Sequence, residues 1–234
     1  MATPGTLRRP LSPPARKGPA IIAHCAGYTA ALAAAAAETH ADFIEVDLWV
    51  HNGRFEARHE RRFPAHLPIL FEKWYLRFAP RTPFGLADLM EAVDDQTGLF
   101  LDLKNGGARA AELVARSMDE SGRHHRIVAS AQEWNALRAL RARSPAVDLF
   151  YSIDVQAKLD LFLSVLRRDV RPMGVSCRHT LLNQETVAEL HGRGLKVVAW
   201  TVDSDDRAAE LAAMGVEGIT THRVAELRER LGCE

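Results

Sequence analysis

DFIEVDLWV, residues 42–50, has the pattern of a β-strand with apolar side chains on one face and acidic side chains on the other. Residues two apart share a face of a strand, so Glu45 and Asp47 are expected on one side and Ile44 and Val46 on the other. The next segment, HNGRFEARH, contains Asn-Gly, which is typical of a tight hairpin turn. The stretch therefore predicts a strand with a short return strand after it.

Apolar runs of similar length recur along the chain and alternate with helix-like stretches. The predicted barrel strands are 20–24, 42–50, 98–104, 126–129, 147–151, 173–176, 196–200 and 217–221. Such strands pair in parallel through right-handed crossovers, and eight strand–helix units close into a (β/α)8 TIM barrel. The alternative is an open doubly wound sheet, which usually has a glycine-rich turn after its first strand, whereas AHCAGYT has a single glycine. We therefore expect an α/β fold with one barrel domain.

Composition restricts the class of protein further. The chain has 234 residues with 30 Lys+Arg and 30 Asp+Glu, and zero net charge disfavours a nucleic-acid partner bound through overall positive charge. No apolar run approaches the about twenty residues of a membrane span. Cys25, Cys177 and Cys233 are too few and too widely spaced for a disulfide framework, so a reducing, cytoplasmic location is expected. Residues 1–19 are predicted to be a flexible leader, and 20–234 the barrel domain.

Residues 60–83 are rich in aromatic residues and contain several prolines. They have no clear period and predict a long loop, with a short helix around Lys73. The favoured interpretation is a cap that packs over the barrel rim. The alternative is a hydrophobic lip for a lipid chain, whose interspersed Arg and Lys residues suit an anionic headgroup or transient contact with a membrane surface.

Polar side chains stand at the ends of several predicted strands. His24 ends the first strand, Glu45 and Asp47 lie on the second, and Asp102 and Lys104 lie on the third. Active sites of such barrels lie at the C-terminal ends of the strands. Converging carboxylates repel one another, and an oxygen-only set that holds a divalent cation favours Mg²⁺ or Ca²⁺ over Zn²⁺. The alternative is a set of solvated carboxylates paired with Arg or Lys.

Two histidines are candidates for proton transfer. His59 follows the return strand and is expected to reach the C-terminal mouth of the barrel, where His24 also lies. One of the two would then act as base and the other as acid. Lys104 and a metal would stabilise the charge of a phosphoryl group. The other histidines, His222 among them, are interpreted as surface or packing residues.

Four segments carry a resemblance to a known family. They are IIAHCAG, FIEVDLWVHNGRFEARHE, FLDLK and GLKVVAWTVDSDDRAAELAAMGVEGITTHR. Together they resemble the glycerophosphodiester phosphodiesterases, over residues 20–231. The resemblance implies a metal-dependent (β/α)8 hydrolase of lipid metabolism that cleaves glycerophosphodiesters, or related lysophospholipids, to an alcohol and glycerol 3-phosphate.

The resemblance also implies roles for individual residues. By position, these are the metal ligands Glu45, Asp47 and Asp102, the acid–base pair His24 and His59, the phosphate-side Lys104 and the pocket aromatic Trp200. The implied mechanism begins with attack on phosphorus by the neighbouring glycerol hydroxyl, which one histidine deprotonates. The other histidine protonates the departing alcohol, and water then opens the cyclic product.

The chain departs from the family pattern at several positions. The family has H-R-G where Cys25 follows His24 here, and T-D-x-P where this chain has His222 after Thr221. The family's P-E-N-T segment is absent. Arg58 lies beside His59, but its side chain is predicted on the opposite face. Two alternatives therefore stand beside the hydrolase: a barrel that binds a phosphorylated ligand without turnover, and a phospholipase D-like lipid phosphodiesterase.

Overall fold

The computed structural model describes residues 18–63, 66–166 and 172–233. Its strands are β1 (Ala20–Ala23), β2 (Phe43–His51), β3 (Arg54–Ala57), β4 (Arg61–Arg62), β5 (Ile69–Glu72), β6 (Tyr75–Phe78), β7 (Gly98–Leu103), β8 (Ile127–Ala131), β9 (Asp148–Ile153), β10 (Gly174–Arg178), β11 (Lys196–Trp200) and β12 (Gly218–Thr221). Its α-helices are α1 (Ala30–Glu38), α2 (Leu86–Ala92), α3 (Gly107–Ser121), α4 (Trp134–Arg143), α5 (Gln156–Val165), α6 (Gln184–Gly192), α7 (Asp205–Met214) and α8 (Val224–Leu231).

The sheet closes on itself. Strands β1, β2 and β7 to β12 pair in parallel, and β1 pairs with both β2 and β12. Ala23 of β1 lies opposite Ile44 on one side and Thr221 on the other. An open sheet would leave β1 without one of these neighbours, so the structure confirms the predicted TIM barrel.

The alternation of side chains along the strands builds two apolar layers. Ile44, Val46 and Leu101 are fully buried in the outer layer, between the strands and the helices. A smaller cluster, which includes Ile22 and Phe100, fills the barrel interior. Burying each such side chain contributes about 1.5–3 kcal/mol. The outward packing predicted for Ile44 and Val46 is confirmed, and the opposite face of β2 is left for polar side chains at the mouth.

The prediction of a loop with a short helix around Lys73 was wrong. The strands β4, β5 and β6 form a small antiparallel sheet in that order, and Lys73 stands in the turn between β5 and β6 with φ 43°. ILFE and YLRF are short strand-like runs separated by two residues, which is the length of a tight hairpin loop. The turn lacks the usual Asn-Gly pair, and the sequence pattern therefore missed it.

The expected cap over the rim was also largely wrong. Leu70 is fully buried, but Trp74 is 93% exposed, Phe78 78%, Phe63 70% and Leu76 67%. This leaves a cluster of exposed apolar side chains on the small sheet. A cluster of this kind marks an interaction surface.

The predicted leader falls almost entirely outside the described residues. Of the predicted leader, residues 1–17 lie outside the described residues, and Glu234 does as well. None of the helices in the described ranges has both the length and the apolar character needed to span a bilayer.

Candidate active site

Three carboxylates meet at the C-terminal mouth of the barrel. Asp47 of β2 lies in register with Asp102 of β7, so the two side chains point inward from adjoining strands. Glu45 stands two residues before Asp47 on the same face. One carboxylate oxygen from each of the three lies within 4.8 Å of the others. The residues that the sequence predicted as an acidic cluster therefore lie together.

Lys104 is the cation that the cluster already contains. Its ammonium lies 2.7 Å from Asp47 Oδ1 and also donates to Asp102 Oδ2. Burial lowers the pKa of Lys104, but the charges of Asp102 and Asp47 outweigh it and raise the pKa above its usual value. Ser130 Oγ donates to the other oxygen of Asp102 at 2.9 Å.

The cluster fits a hard divalent cation. Glu45 and Asp47 are buried, Lys104 pairs with Asp47 and Asp102, and His24 pairs with Glu45, so the three carboxylates outnumber the two basic groups beside them. Burial, and then repulsion from Asp47, raise the pKa of Glu45 despite its bonds with His24 and Cys25. The donors are all oxygens, which suits Mg²⁺ or Ca²⁺.

His24 is held against the cluster by Glu45. His24 Nδ1 lies 3.0 Å from Glu45 Oε2, and the Cys25 backbone N–H donates to the same oxygen at 2.7 Å. Burial lowers the pKa of His24, but hydrogen bonds with Cys25 and Glu45 outweigh it and raise the pKa to about 10. Cys25 adopts the left-handed conformation with φ 57°, which is strained for a non-glycine residue and turns the chain sharply after β1.

Tyr28 belongs to the site, although sequence reasoning assigned it no role. Its hydroxyl donates to Asp47 Oδ2 and lies 3.3 Å from Cys25 Sγ. The turn that carries it packs tightly on β2, because a Cβ on Gly27 would lie only 2.5 Å from Val46 Cβ. Burial, and then the charges of Asp47 and Glu45, raise the pKa of Tyr28, so its hydroxyl stays protonated.

His222 also lies at the mouth, whereas the sequence interpretation gave it a surface or packing role. Its ring stands edge-on to the His24 ring, with centroids 4.7 Å apart. Asp203 accepts from the His222 backbone N–H at 2.9 Å and lies 2.8 Å from Nδ1. No local pattern predicts this pair, because β1 and β12 become neighbours only when the barrel closes.

His59 follows β3 where that strand ends beside β2. The Arg58 backbone N–H donates to Asp47 O at 3.1 Å, which brings this stretch alongside the acidic strand. The His59 side chain is about half exposed, and its Nδ1 lies 2.9 Å from Glu72 Oε1 of β5. This contact directs the His59 ring to the small sheet, and its acid–base role stays a prediction.

Arg58 is not available to a substrate in place of the family's arginine. Its guanidinium is buried, donates to Glu56 Oε2 at 3.0 Å and to Glu60 O, and stacks over Trp49. Glu56 also accepts from Arg62 Nη2 at 2.8 Å. The pair is a structural support of the β2–β3 hairpin.

Replacing Glu56 with Gln is expected to lower the free energy of unfolding by about 3–5 kcal/mol, because the buried Arg58 loses its counter-charge. Burial raises the pKa of Glu56, but hydrogen bonds from Arg62 and Arg58 outweigh it and lower the pKa. The carboxylate's contribution to the free energy of unfolding is therefore present at neutral pH and is lost as the pH falls through the lowered pKa of Glu56. The free energies of unfolding of wild type and variant, measured in urea, should converge as the pH falls through that pKa.

The matched control is Glu112→Gln, which removes an exposed carboxylate paired with Arg109 at 2.7 Å. Exposed pairs add little to stability, so the control should unfold like wild type. Equal unfolding curves for wild type and Glu56→Gln would contradict a structural role for the buried pair.

Trp200, for which the family resemblance implies a role as a pocket aromatic, ends β11. Its indole Nε1 is buried and has no hydrogen-bond partner among the residues that the structure describes. The indole N–H of Trp49 and that of Trp134 are buried in the same way, so this feature does not itself indicate a ligand, and the substrate-binding role of Trp200 stays a prediction.

Comparisons with known proteins agree with this geometry. The model of the Glycerophosphoryl diester phosphodiesterase family matches residues 101–226. A candidate glycerophosphodiester phosphodiesterase of Bacillus subtilis, YhdW, is 45% identical over 47 residues. That match covers 20% of this chain and 19% of the relative, so it spans about a fifth of the relative's length.

Solved structures show the same fold. A phosphodiesterase from Oleispira antarctica, in complex with the product sn-glycerol-3-phosphate, superposes with a TM-score of 0.70 at 16% identity, over 92% of this chain and 97% of that one. A glycerophosphodiester phosphodiesterase from Parabacteroides distasonis superposes with a TM-score of 0.75 at 18% identity, over 93% and 98% of the two chains.

Proposed function

The chain belongs to the glycerophosphoryl diester phosphodiesterase family of phosphoric diester hydrolases, and from that premise we propose that it hydrolyses glycerophosphodiesters to an alcohol and glycerol 3-phosphate. The observation that carries the proposal is the register of Asp47 with Asp102, which together with Glu45 forms an acidic cluster at the mouth. The Oleispira antarctica neighbour, solved with sn-glycerol-3-phosphate, supports a small phosphodiester as substrate.

A divalent cation, Mg²⁺ or Ca²⁺, held by Glu45, Asp47 and Asp102 would supply Lewis-acid stabilisation of the phosphoryl oxygens. Lys104, which is already bound to Asp47 and Asp102, adds a second positive charge on the phosphate side. Trp200 is the proposed aromatic of the substrate pocket. The site thereby concentrates positive charge where negative charge develops.

His24 and His59 are the proposed acid–base pair. One takes the proton of the glycerol hydroxyl as its oxygen bonds to phosphorus, and the other gives a proton to the departing alcohol oxygen as its bond to phosphorus breaks. Because the hydroxyl belongs to the same molecule as the phosphodiester, its attack has the advantage of proximity. Water then opens the cyclic phosphate to glycerol 3-phosphate. Glu45 fixes the orientation of the His24 ring.

Removing the metal is expected to abolish turnover. Purified protein treated with EDTA should lose hydrolysis of glycerophosphocholine, and added Mg²⁺ or Ca²⁺ should restore it, because the carboxylates alone repel an anionic phosphodiester. Release of glycerol 3-phosphate is the measurement, with a simple phosphomonoester as the negative control. Full activity in EDTA, with metal analysis showing none bound, would contradict the metal-dependent proposal.

The products separate this proposal from its alternatives. Phosphorus NMR of the reaction should show glycerol 3-phosphate as the final product. Accumulation of a cyclic phosphate from a choline lipid would instead favour a phospholipase D-like enzyme. Tight binding of the phosphodiester without any product would favour a binding barrel.

A lysophospholipid presented at a membrane surface is the proposed alternative substrate source. Trp74, Leu76 and Phe78 are exposed on the small sheet, and the exposed Lys73 precedes Trp74 in the turn. Apolar side chains with an adjacent cation suit the boundary of an anionic bilayer. The small sheet follows His59 in the chain, so surface binding there would bring lipid close to the mouth.

Replacing Trp74 with Ser is expected to weaken binding to vesicles that contain phosphatidylglycerol by about tenfold or more, because burying an aromatic side chain contributes about 1.5–3 kcal/mol. Vesicle co-sedimentation is the measurement. Leu161→Ser is the matched control, since Leu161 is 52% exposed on α5. Equal binding by wild type and Trp74→Ser would rule out membrane contact through this sheet.

A further inference from the structure

A second group of metal-binding side chains lies at the mouth and has different donors. His24, Cys25 and His222 each offer one ligand atom, and these atoms lie within 4.8 Å of one another. The donors are nitrogen and sulfur, unlike the oxygens of Glu45 and Asp47. Cys25 and His222 are also two of the positions at which the chain departs from the family pattern.

Each histidine ring is oriented by a carboxylate. Glu45 Oε2 lies 3.0 Å from His24 Nδ1, and Asp203 Oδ2 lies 2.8 Å from His222 Nδ1. The opposite ring nitrogen, Nε2, is then the one that can bind a metal. Carboxylates placed behind metal-binding histidines in this way fix the ring and make it a stronger ligand.

The thiol of Cys25 faces this free edge of His24. Cys25 Sγ lies 3.4 Å from His24 Nε2, and the cysteine is free and partly exposed. The bond from its backbone N–H to Glu45 and its left-handed conformation fix the position of the side chain. The two imidazoles lie with their planes 68° apart, so they do not stack face to face.

From this arrangement we propose that His24, Cys25 and His222 bind Zn²⁺ at the barrel mouth. Two imidazoles and one thiolate are ligands that Zn²⁺ favours, and Mg²⁺ and Ca²⁺ do not. Three protein ligands leave one coordination position for water. His222 is about half exposed, which gives the ion a path from solvent.

Zinc at this position inhibits the hydrolase. It occupies Nε2 of His24, the nitrogen through which that residue would exchange a proton with the substrate. This consequence rests on the proposed function, whereas zinc binding itself does not. The site makes turnover sensitive to thiophilic cations in a chain that needs Mg²⁺ or Ca²⁺.

Titration of the full-length protein with Co²⁺ in place of Zn²⁺ tests the site directly. Wild type should develop the near-ultraviolet absorption of a cobalt–thiolate bond, and Zn²⁺ should displace it. Cys25→Ser should lack this absorption. Cys25→Ser and His222→Asn should each bind Zn²⁺ about tenfold or more weakly than wild type in competition with a chromophoric chelator. Wild-type protein without cobalt–thiolate absorption would overturn the proposal.

Controls separate this site from other thiols, other histidines and the acidic cluster. Cys177→Ser changes a buried thiol elsewhere, and His40→Asn changes an exposed histidine whose positive φ suits asparagine. Both should bind Zn²⁺ like wild type. Asp102→Asn should keep the cobalt–thiolate absorption. Circular dichroism of each variant checks folding, and loss of the absorption in a folded Cys177→Ser variant would also overturn the assignment.

An activity assay then tests the consequence. Zn²⁺ should inhibit wild type in the presence of Mg²⁺ or Ca²⁺, and Cys25→Ser should resist inhibition relative to its own zinc-free rate. Equal inhibition of both proteins would overturn the inhibitory role of this site. Cobalt–thiolate absorption in a protein that hydrolyses no phosphodiester would uphold the zinc site and contradict the proposed function.

Discussion

Replacing His24 with Gln is expected to lower kcat for glycerophosphodiester hydrolysis by a factor of about 10²–10⁴, the usual contribution of a general acid or base. The glutamine amide can still donate to Glu45, which now lies 3.0 Å from His24 Nδ1, so the fold of the mouth should persist. What the variant loses is a group that can exchange a proton with the substrate. Steady-state kinetics at saturating Mg²⁺ or Ca²⁺ measures the effect.

The matched control is His191→Gln, because His191 is also paired with a carboxylate, that of Glu217 at 3.3 Å, but lies on the outer helix α6. The control should retain the wild-type kcat. The pH profile adds a second readout, since removing a true acid or base removes one limb of the profile. An unchanged kcat and profile for His24→Gln would exclude His24 from proton transfer.

Replacing Asp47 with Asn is expected to weaken the binding of Mg²⁺ or Ca²⁺ by about 100-fold or more, with a matching loss of turnover at low metal concentration. The substitution removes one negative charge from a group of three carboxylates and hardly changes the volume of the side chain. The introduced amide oxygen can still accept from Tyr28, and Lys104 would keep its bond to Asp102. The fold should therefore survive the loss of metal affinity.

Isothermal titration with each metal measures the effect of Asp47→Asn, and thermal unfolding checks the fold. Asp148→Asn is the control, because Asp148 begins β9 and so lies at the opposite end of the barrel from the mouth. It should bind the metal like wild type. Unaltered metal uptake by Asp47→Asn would remove Asp47 from the ligand set.

The strands and the acidic cluster follow from short-range patterns. A barrel strand must bury one face against helices, so apolar residues recur with a period of two, as Ile44 and Val46 do. The intervening Glu45 and Asp47 must then point inward. Asp102 points inward for the same reason on the next parallel strand, and the structure places it in register with Asp47.

Arg58 and the small sheet have features that short-range sequence patterns do not determine. The period of two places Arg58 away from the mouth, but its burial with Glu56 depends on how the hairpin folds onto the barrel. The turn at Lys73 lacks the residues that usually mark a hairpin. The exposure of Trp74 depends on which surface the small sheet covers, and no local pattern specifies that.

The sequence by itself determined the eight strands, their inward and outward faces and the convergence of Glu45, Asp47 and Asp102, because these depend on periodicity and on neighbouring strands. Only the tertiary structure decided that His222 lies against His24 and Cys25, and that Tyr28 bridges Cys25 and Asp47. The physical reason for the His222 contact is closure of the barrel, which brings the first and last strands side by side and with them side chains from opposite ends of the chain. The Tyr28 contacts depend instead on how the turn after β1 packs on β2.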